Sequence, residues 1–295
     1  MAAAFQETVA ELRDDRRHGA SWMARRGIEA LAEVAKEHEG SCEELVDELR
    51  DAARQLAAAR PGVGAIAGAA GRLIAGIRHE THIEHEALCQ LVQEEALALN
   101  EGRIRAPASI AVQVRDRFED GVVLTHSASA TVREALQHGS PRKVLCTVSS
   151  PVEEGRAFAD ELRESGLDVE LVEDADAPER VSETTVVLIG ADTVFRDGAI
   201  CNKVGTTPIA KAAQAAGIPT VVAAEIVKLV PVPGVQAPDL ADFERELFEL
   251  VSADLLTEIV TEEGAFPAEE VGVLVDRVPF LREGYELVAP LAANR

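Results

Sequence analysis

The sequence predicts an α/β protein in which a helical N-terminal domain precedes a Rossmann-like domain with a doubly wound parallel sheet. Two observations lead to this fold class. Up to about residue 102 apolar residues recur at helical spacing, and from about residue 106 short runs rich in Val and Ile alternate with helical stretches. Runs that are apolar throughout are typical of parallel strands covered on both faces. We place the domains at residues 1–105 and 106–295.

The N-terminal domain is predicted to be made of helices. Apolar periodicity places them at residues 22–38, 42–58, 64–77 and 80–100. Arg60-Pro61-Gly62 separates the second from the third. The third contains Gly64, Gly68 and Gly71, which do not follow a strand and do not form a nucleotide-binding glycine pattern, so we assign them to close helix packing.

The second domain is predicted to alternate strands and helices. We expect strands at residues 121–125, 143–148, 168–173, 185–190, 219–223 and 271–275, and helices at residues 128–138, 153–165 and 206–216. Ligands of such sheets bind beyond the carboxyl ends of the strands. Two polar segments follow strands in this way, one at residues 126–129 and one starting at Ala191-Asp192.

Composition limits the classes of partner. The chain carries 52 acidic and 29 basic residues, a formal net charge of −23, which disfavours direct nucleic-acid binding. The acidic residues are dispersed, which suits a halophilic acidic surface, and an acidic docking face for a basic partner is the alternative. Every apolar stretch of about 18 residues contains charges and the N-terminus lacks a signal-peptide core, so we expect a cytoplasmic protein without a membrane partner.

Metal and cofactor binding are not expected. The four cysteines (Cys42, Cys89, Cys146 and Cys201) are far apart and form no CxxC pair. The histidines of HETHIEH, residues 79–85, recur at a spacing of three and are interpreted as solvated side chains rather than metal ligands.

The segment Ile189–Thr206, IGADTVFRDGAICNKVGT, carries the clearest sign of function. Asn202, Lys203 and Gly205 precede a predicted helix, whose first N–H groups attract anions, and Lys203 adds a positive charge. Glycine at position 205 would let the backbone approach a ligand closely. The pattern predicts a phosphate-binding turn, and an ordinary capped loop is the alternative.

This segment is similar to the signature of the translation initiation factor 2B alpha/beta/delta family, which also contains ribose-1,5-bisphosphate and methylthioribose-1-phosphate isomerases. Companion segments occur in the expected order: GVVLTHS at residues 121–127, Ser149-Ser150-Pro151, AGIPTVVAAE at residues 216–225 and VTEEG at residues 260–264. The resemblance is dense in the second domain and sparse in the first.

The resemblance to the isomerases assigns roles to residues of this chain. It implies that Asp192 is one member of the catalytic acid/base pair and that Asn202 and Lys203 hold a phosphate. Arg26-Gly27 and Arg60 match the phosphate-binding arginines. Two positions depart from the isomerases, which have Cys where this chain has Ser127, and in many cases Arg where it has Ser150. A serine hydroxyl needs an adjacent base to replace a thiol, and His126 is expected to point away from Ser127 because neighbouring side chains of an extended segment alternate.

Two functions remain open at this point. The first is a regulatory protein, similar to the factor 2B subunits, that binds a sugar phosphate or nucleotide. The second is an aldose-ketose isomerase of the ribose-1,5-bisphosphate isomerase type, an intramolecular oxidoreductase that uses Asp192 and a substitute for the thiol. The family resemblance also implies a homodimer or a higher homo-oligomer.

Overall fold

The computed structural model describes residues 3–289 of the chain. Its N-terminal part is helical, with α1 to α5 at Ala3–Asp14, Ala20–Glu37, Cys42–Ala59, Gly64–Ile77 and His85–Val114. The predicted helices are therefore confirmed, with α1 in addition. No helix within residues 3–289 combines the length and apolar character that a membrane crossing requires.

Capping and close packing explain this helical part. Ser41 begins α3 with a capping box, in which its side chain accepts from the backbone N–H of Glu44 and the Glu44 carboxylate accepts from the Ser41 N–H. The glycines of α4 pack as predicted. A methyl group on Gly68 would lie 2.0 Å from the carbonyl oxygen of Val227, and one on Gly71 would lie 2.3 Å from that of Gly284. Helix α4 thus lies in close contact with two segments of the second domain.

Helix α5 differs from its predicted extent. The residues up to Glu84 form a turn, so α5 begins at His85, and it continues past position 105 to Val114. Its last turns bury Ile110 and Val114 in a cluster that also contains apolar residues of the sheet. The helix is longer than predicted because its C-terminal half packs on the second domain. The division at residues 105/106 stays a prediction.

The main sheet has seven strands within the described residues, in the order β11-β10-β7-β4-β1-β2-β3. They are β1 Val122–Thr125, β2 Lys143–Thr147, β3 Val169–Val172, β4 Val186–Ile189, β7 Thr220–Ala223, β10 Glu258–Thr261 and β11 Gly264–Pro267. All neighbours are parallel except β10 and β11. The remaining helices, α6 to α11, are Ala130–Gly139, Glu154–Glu164, Ala177–Arg180, Thr206–Ala216, Val273–Arg277 and Pro279–Val288.

The predicted strand at residues 271–275 is wrong. Most of that segment belongs to α10, and the edge of the sheet is formed instead by the β10–β11 hairpin. The apolar run VGVLV buries Val271, Leu274 and Val275. A short buried run of this kind cannot be assigned to a strand or a helix from periodicity alone.

A second, smaller sheet was not predicted. It has the order β8-β5-β6-β9, with β5 Thr193–Phe195, β6 Ile200–Lys203, β8 Leu229–Val230 and β9 Phe248–Val251. Strand β6 ends on Asn202 and Lys203, and its antiparallel pairing with β5 and β9 fixes their position.

The strand order creates a crevice at the centre of the main sheet. The chain proceeds from β1 to β2 and β3 on one side and then crosses to β4 on the other side of β1. The connections that leave β1 and β4 therefore diverge, and the carboxyl ends of these two strands flank a switch point, where open α/β sheets bind ligands. Ser127 follows β1 and Asp192 follows β4.

Candidate ligand-binding site

A cavity of about 320 Å³ lies at this switch point, between the sheet and the start of the helical part. Its walls include residues 15–23, which comprise the turn before α2 and the first residues of α2, and the segment of residues 126–130. Side chains that follow β2, β4 and β7 and the last two residues of β6 complete the lining. Among the predicted site residues, the structure brings together Ser127, Asp192, Asn202, Lys203 and Arg60 at this cavity. A cavity of this volume can hold a small phosphorylated molecule.

Ser127 has a carboxylate partner. Its hydroxyl donates to Oε1 of Glu154 at 2.7 Å, and the other carboxylate oxygen of Glu154 accepts from Nζ of Lys203 at 3.0 Å. The backbone of Ser127 is in the left-handed region, with φ of 67°, and its N–H donates to Oγ of Ser149 at 2.8 Å. This strained conformation is sparsely populated by residues other than glycine, and it turns the hydroxyl towards Glu154.

His126 is not the base of Ser127. Its Nδ1 lies 2.7 Å from Oγ1 of Thr147, and its Nε2 lies 2.8 Å from the carbonyl oxygen of Val204. A carbonyl oxygen only accepts, so Nε2 carries the proton and Nδ1 accepts from the threonine hydroxyl. Burial lowers the pKa of the imidazole. His126 therefore holds β1 to the Val204 turn as a neutral side chain.

Asp192 is placed to exchange a proton near neutral pH. Burial raises the pKa of its carboxyl to about 6, opposed by the positive charges of Lys228 and Arg60. A carboxyl group with such a pKa is populated in both protonation states near neutrality, as an acid/base residue requires. Cys201 offers no comparable group, because burial and the charge of Asp192 raise the pKa of its thiol well above the usual range.

Two buried ammonium groups face the cavity. Lys203 and Lys228 are each 4% exposed. Lys203 pairs with Glu154, whereas Lys228 makes no hydrogen bond or ion pair with the residues that the structure describes. The charge of Lys228 acts on Asp192 without a direct contact. A largely buried ammonium group without a hydrogen-bonded counter-charge is costly, so Lys228 marks a place where an anionic group would be stabilised.

Arg60 lines the cavity but is largely engaged by the protein. It is 2% exposed, and its Nε donates to Oε1 of the fully buried Glu244 at 3.2 Å. Its Nη1 donates to the carbonyl oxygens of Leu12 and Asp15 at 3.3 and 2.7 Å. Arg60 therefore holds the chain at the end of α1, at Asp15, beside the cavity, in addition to the charge that it offers to a ligand.

The NKVGT turn differs in detail from the predicted anion site. Helix α9 begins at Thr206, as predicted, but the carboxylate of Glu249 accepts from the N–H and the hydroxyl of Thr207, at 2.9 and 2.8 Å. That carboxylate already occupies the helix N-terminus. Gly205 has φ of 99°, and a methyl group there would lie 3.1 Å from the His126 ring. Glycine is required at this position by backbone conformation and by packing. The positive charge of the turn is that of Lys203, which pairs with Glu154.

Arg26 and Gly27 do not lie at the cavity. Arg26 donates to Glu11 and Thr8 of α1, at 2.9 and 2.8 Å, and Gly27 packs inside the helical core. The cavity is lined instead by the preceding residues 15–23, which form the turn before α2 and the first turn of α2. The prediction for Arg26 and Gly27 relied on their match to an Arg-Gly pair. In the structure the chain reaches the sheet a few residues earlier, at the turn before α2.

Sequence reasoning also missed Glu154 and Lys228. Both follow strands of the main sheet, Glu154 after β2 and Lys228 after β7. Glu154 lies in a predicted helix and Lys228 in a short 3-10 turn. Each is the second charged residue after its strand, following Glu153 and Glu225, so the first charge after the strand does not identify them. No group of three or more His, Cys, Asp or Glu residues within residues 3–289 is arranged to hold a metal ion.

Comparison with known proteins agrees with this arrangement. The initiation factor 2 subunit family matches residues 16–268. A Pyrococcus horikoshii protein named as translation initiation factor eIF-2B subunit 2-like is 33% identical over 246 residues, which cover 82% of this chain and 84% of that protein. The ribose 1,5-bisphosphate isomerase of Methanocaldococcus jannaschii is 26% identical over 297 residues, covering 92% and 94%.

Solved structures share the fold. The Pyrococcus horikoshii translation initiation factor eIF-2B superposes with a TM-score of 0.77 at 26% identity, over 90% of this chain and 98% of that one. A chain of the tetrameric eIF2B-beta2-delta2 complex from C. thermophilum superposes with a TM-score of 0.78 at 20% identity, over 93% and 94%, which is a likeness of fold. The family match spans all the strands of the switch point and the residues that line its cavity from Arg16 to Phe248. The chain therefore belongs to the initiation factor 2 subunit family.

Proposed function

We propose that this chain binds a phosphorylated sugar or nucleotide in the switch-point cavity and acts as a regulatory protein similar to eIF-2B subunits. The observation that carries the proposal is the Lys228 side chain, which is buried at the cavity and makes no hydrogen bond or ion pair with the described residues. Its charge acts on the nearby Asp192 carboxyl without contacting it. The cavity lining has six basic side chains, those of Arg16, Arg17, Arg60, Arg133, Lys203 and Lys228, against four acidic ones. This excess of positive charge, in a chain with a net charge of −23, suits a phosphate group.

Calorimetric titration with two probes, ribose 1,5-bisphosphate and AMP, tests the proposal. We expect at least one probe to bind, and Lys228→Ala and Lys203→Ala to weaken it by roughly tenfold to a hundredfold, because a charge-assisted hydrogen bond contributes about 1.5–3 kcal/mol. Lys211→Ala is the matched control, because Lys211 is exposed on α9 and does not line the cavity. If neither probe binds, or if all three variants bind as the parent does, the proposal is wrong.

A second candidate function is aldose-ketose isomerisation, as in the isomerases among the relatives. The observation that favours it is the hydrogen bond from Ser127 to Glu154, because it supplies the base that a serine needs in place of the family thiol. Asp192, with a pKa near 6, supplies the second proton-exchanging group. Ring opening would break the C1–O4 bond, with O4 taking a proton. One group would then remove the proton from C2, a proton would be returned at C1, and the C2 hydroxyl would lose its proton as the ketone forms.

An assay with ribose 1,5-bisphosphate and methylthioribose 1-phosphate, with and without AMP, separates the two functions. Turnover that falls by roughly two to four orders of magnitude in Asp192→Asn supports the isomerase. Probe binding without turnover in the parent protein supports the regulatory protein. Unchanged turnover in Asp192→Asn would contradict the isomerase mechanism.

Assembly and location complete the proposal. We propose a cytoplasmic homodimer or higher homo-oligomer, since one structural neighbour is a chain of a tetrameric complex. The dispersed acidic residues support a surface adapted to high salt, where self-repulsion is screened. Light scattering across a salt series tests the assembly and the adaptation to high salt. A monomer at every salt concentration would contradict the proposed assembly.

A further inference from the structure

A second cavity, of about 310 Å³, lies on the other side of the segment that carries Lys228. It is enclosed by α4, α5 and α11, by the turn that follows β7 and by the β10–β11 hairpin. Its charged side chains are the guanidinium groups of Arg72 and Arg103 and three carboxylates, those of Glu225, Glu262 and Glu263. The cavity shares no lining residue with the first one.

Two buried polar atoms of this cavity have no hydrogen-bond partner. Nη1 of Arg103 and Oε2 of Glu225 are both buried and have no hydrogen-bond partner. The side chain of Glu225 is 1% exposed and that of Arg103 is 11% exposed, and the two form an ion pair in which Nη2 lies 3.6 Å from Oε2. Buried polar groups are nearly always hydrogen-bonded, and the remaining ones need an explanation. One donor and one acceptor thus lie side by side without hydrogen bonds at the wall of the second cavity, and a small turn of either side chain would present them to a ligand.

The charges around this pair restrict what it can bind. An anion alone would meet three carboxylates, and a cation alone would leave the Arg103 donor unmatched. We propose that the second cavity binds a zwitterion of amino-acid size, whose carboxylate accepts from Nη1 of Arg103 and whose ammonium group donates to Oε2 of Glu225. Glu262 adds a second carboxylate for the ammonium group, since only its Oε2 is engaged, by the backbone N–H of Ile226 at 2.9 Å.

The proposed site is connected to the first cavity through Ser21. Its hydroxyl donates to Oε1 of Glu225, and its carbonyl oxygen accepts from Nη2 of Arg103 at 2.9 Å. Ser21 itself lines the first cavity, together with the adjacent Trp22, which is the single tryptophan of the chain. A ligand that engages Arg103 and Glu225 therefore acts on the segment that forms one wall of the phosphate site. This inference is independent of the function proposed for the first cavity.

The test uses the full chain without any phosphorylated ligand and the twenty standard L-amino acids as probes, one at a time. We expect at least one of them to bind by calorimetry, to raise the unfolding temperature and to change the fluorescence of Trp22. Gly102→Leu should reduce this binding at least tenfold. Gly102 is an exposed residue at the rim of the cavity, and no atom lies within 4 Å of a methyl group placed there, so the larger side chain narrows the cavity entrance without disturbing the helix.

Two further variants keep the test specific. Arg103→Gln should also lose binding, whereas Arg105→Gln should keep it, because Arg105 is 81% exposed on the same helix and pairs only with Glu101. If no amino acid binds, the proposal is overturned, and water alone would be left to hydrogen-bond Nη1 of Arg103 and Oε2 of Glu225. Binding that survives Gly102→Leu would also overturn it, because the ligand would lie elsewhere.

Discussion

Replacing Glu154 with glutamine removes the negative charge that holds Lys203 in the ligand-free protein. The carboxylate lies 3.0 Å from Nζ of Lys203, and the two side chains are 19% and 5% exposed. At this separation the pair interacts strongly, although desolvation offsets much of the attraction. We expect the ligand-free variant to lose about 1–3 kcal/mol of unfolding free energy, because a buried ammonium group is left without a counter-charge.

The same substitution should improve the binding of a phosphate. In the parent protein an incoming phosphate must share Lys203 with the Glu154 carboxylate and is repelled by it. Removing that charge should strengthen binding by about 1–1.5 kcal/mol, or roughly tenfold in Kd. If the protein is an isomerase, tighter binding should accompany a loss of turnover, because Ser127 loses its base.

Calorimetric titration of ribose 1,5-bisphosphate and urea unfolding of the same samples measure the two effects. Asp160→Asn is the matched control, because Asp160 lies on the same helix as Glu154, does not line the first cavity and pairs with Arg163 at 71% and 41% exposure. Exposed pairs contribute little, so this control should change neither quantity by more than about 0.5 kcal/mol. Weaker phosphate binding in Glu154→Gln than in Asp160→Asn would refute the competition between carboxylate and ligand.

Three other predictions concern stability. Asp192→Asn should be more stable than the parent protein by up to roughly 3 kcal/mol at pH 8, because the native state raises the pKa of this carboxyl to about 6 and so disfavours its ionised form. The stability difference should vanish as the pH falls from about 6 to about 4. Urea unfolding at several pH values measures it, and a difference that does not change with pH would contradict the prediction. Gly205→Ala should lower the unfolding free energy by about 1–3 kcal/mol, because φ is 99° there and a methyl group would lie 3.1 Å from a buried imidazole; an unchanged denaturation midpoint would count against this packing. Gly71→Ala should also destabilise the protein, since the methyl group would lie 2.3 Å from the carbonyl oxygen of Gly284. Gly76→Ala in the same helix, where the nearest atom to the methyl group lies at 3.8 Å, should be neutral or stabilising. Equal shifts of the unfolding temperature for the two variants would contradict the close contact between α4 and α11.

The fold was predictable wherever a single periodic pattern determined an element. The helices α2 and α3 and the first five parallel strands of the main sheet were found because their apolar faces or runs are continuous in sequence. The strand predicted at residues 271–275 failed because a short, fully buried run has no distinguishing period. The small sheet that holds Lys203 was missed because its longer strands are not continuous apolar runs, since β6 ends on Asn202 and Lys203 and β9 contains Glu249.

The candidate site was predictable in its chemistry but not in its pairings. Asp192 and Lys203 were found because they follow strands in a segment with a recognisable pattern. Glu154 was missed because it meets Lys203 across 49 positions of the chain, a distance that no local pattern encodes. Arg26 was predicted at the site from a local sequence match, but its position on α2 directs its side chain towards α1 rather than towards the sheet.

A crystal structure of the protein soaked with ribose 1,5-bisphosphate would test phosphate binding at the switch point most directly. We expect a phosphate oxygen within about 3 Å of Nζ of Lys228, the usual length of a charge-assisted hydrogen bond, with Lys203 turned from Glu154 towards the ligand. A ligand bound elsewhere, or a cavity in which Lys228 remains without an anionic partner at saturating concentration, would contradict the assignment of this cavity to a phosphorylated ligand.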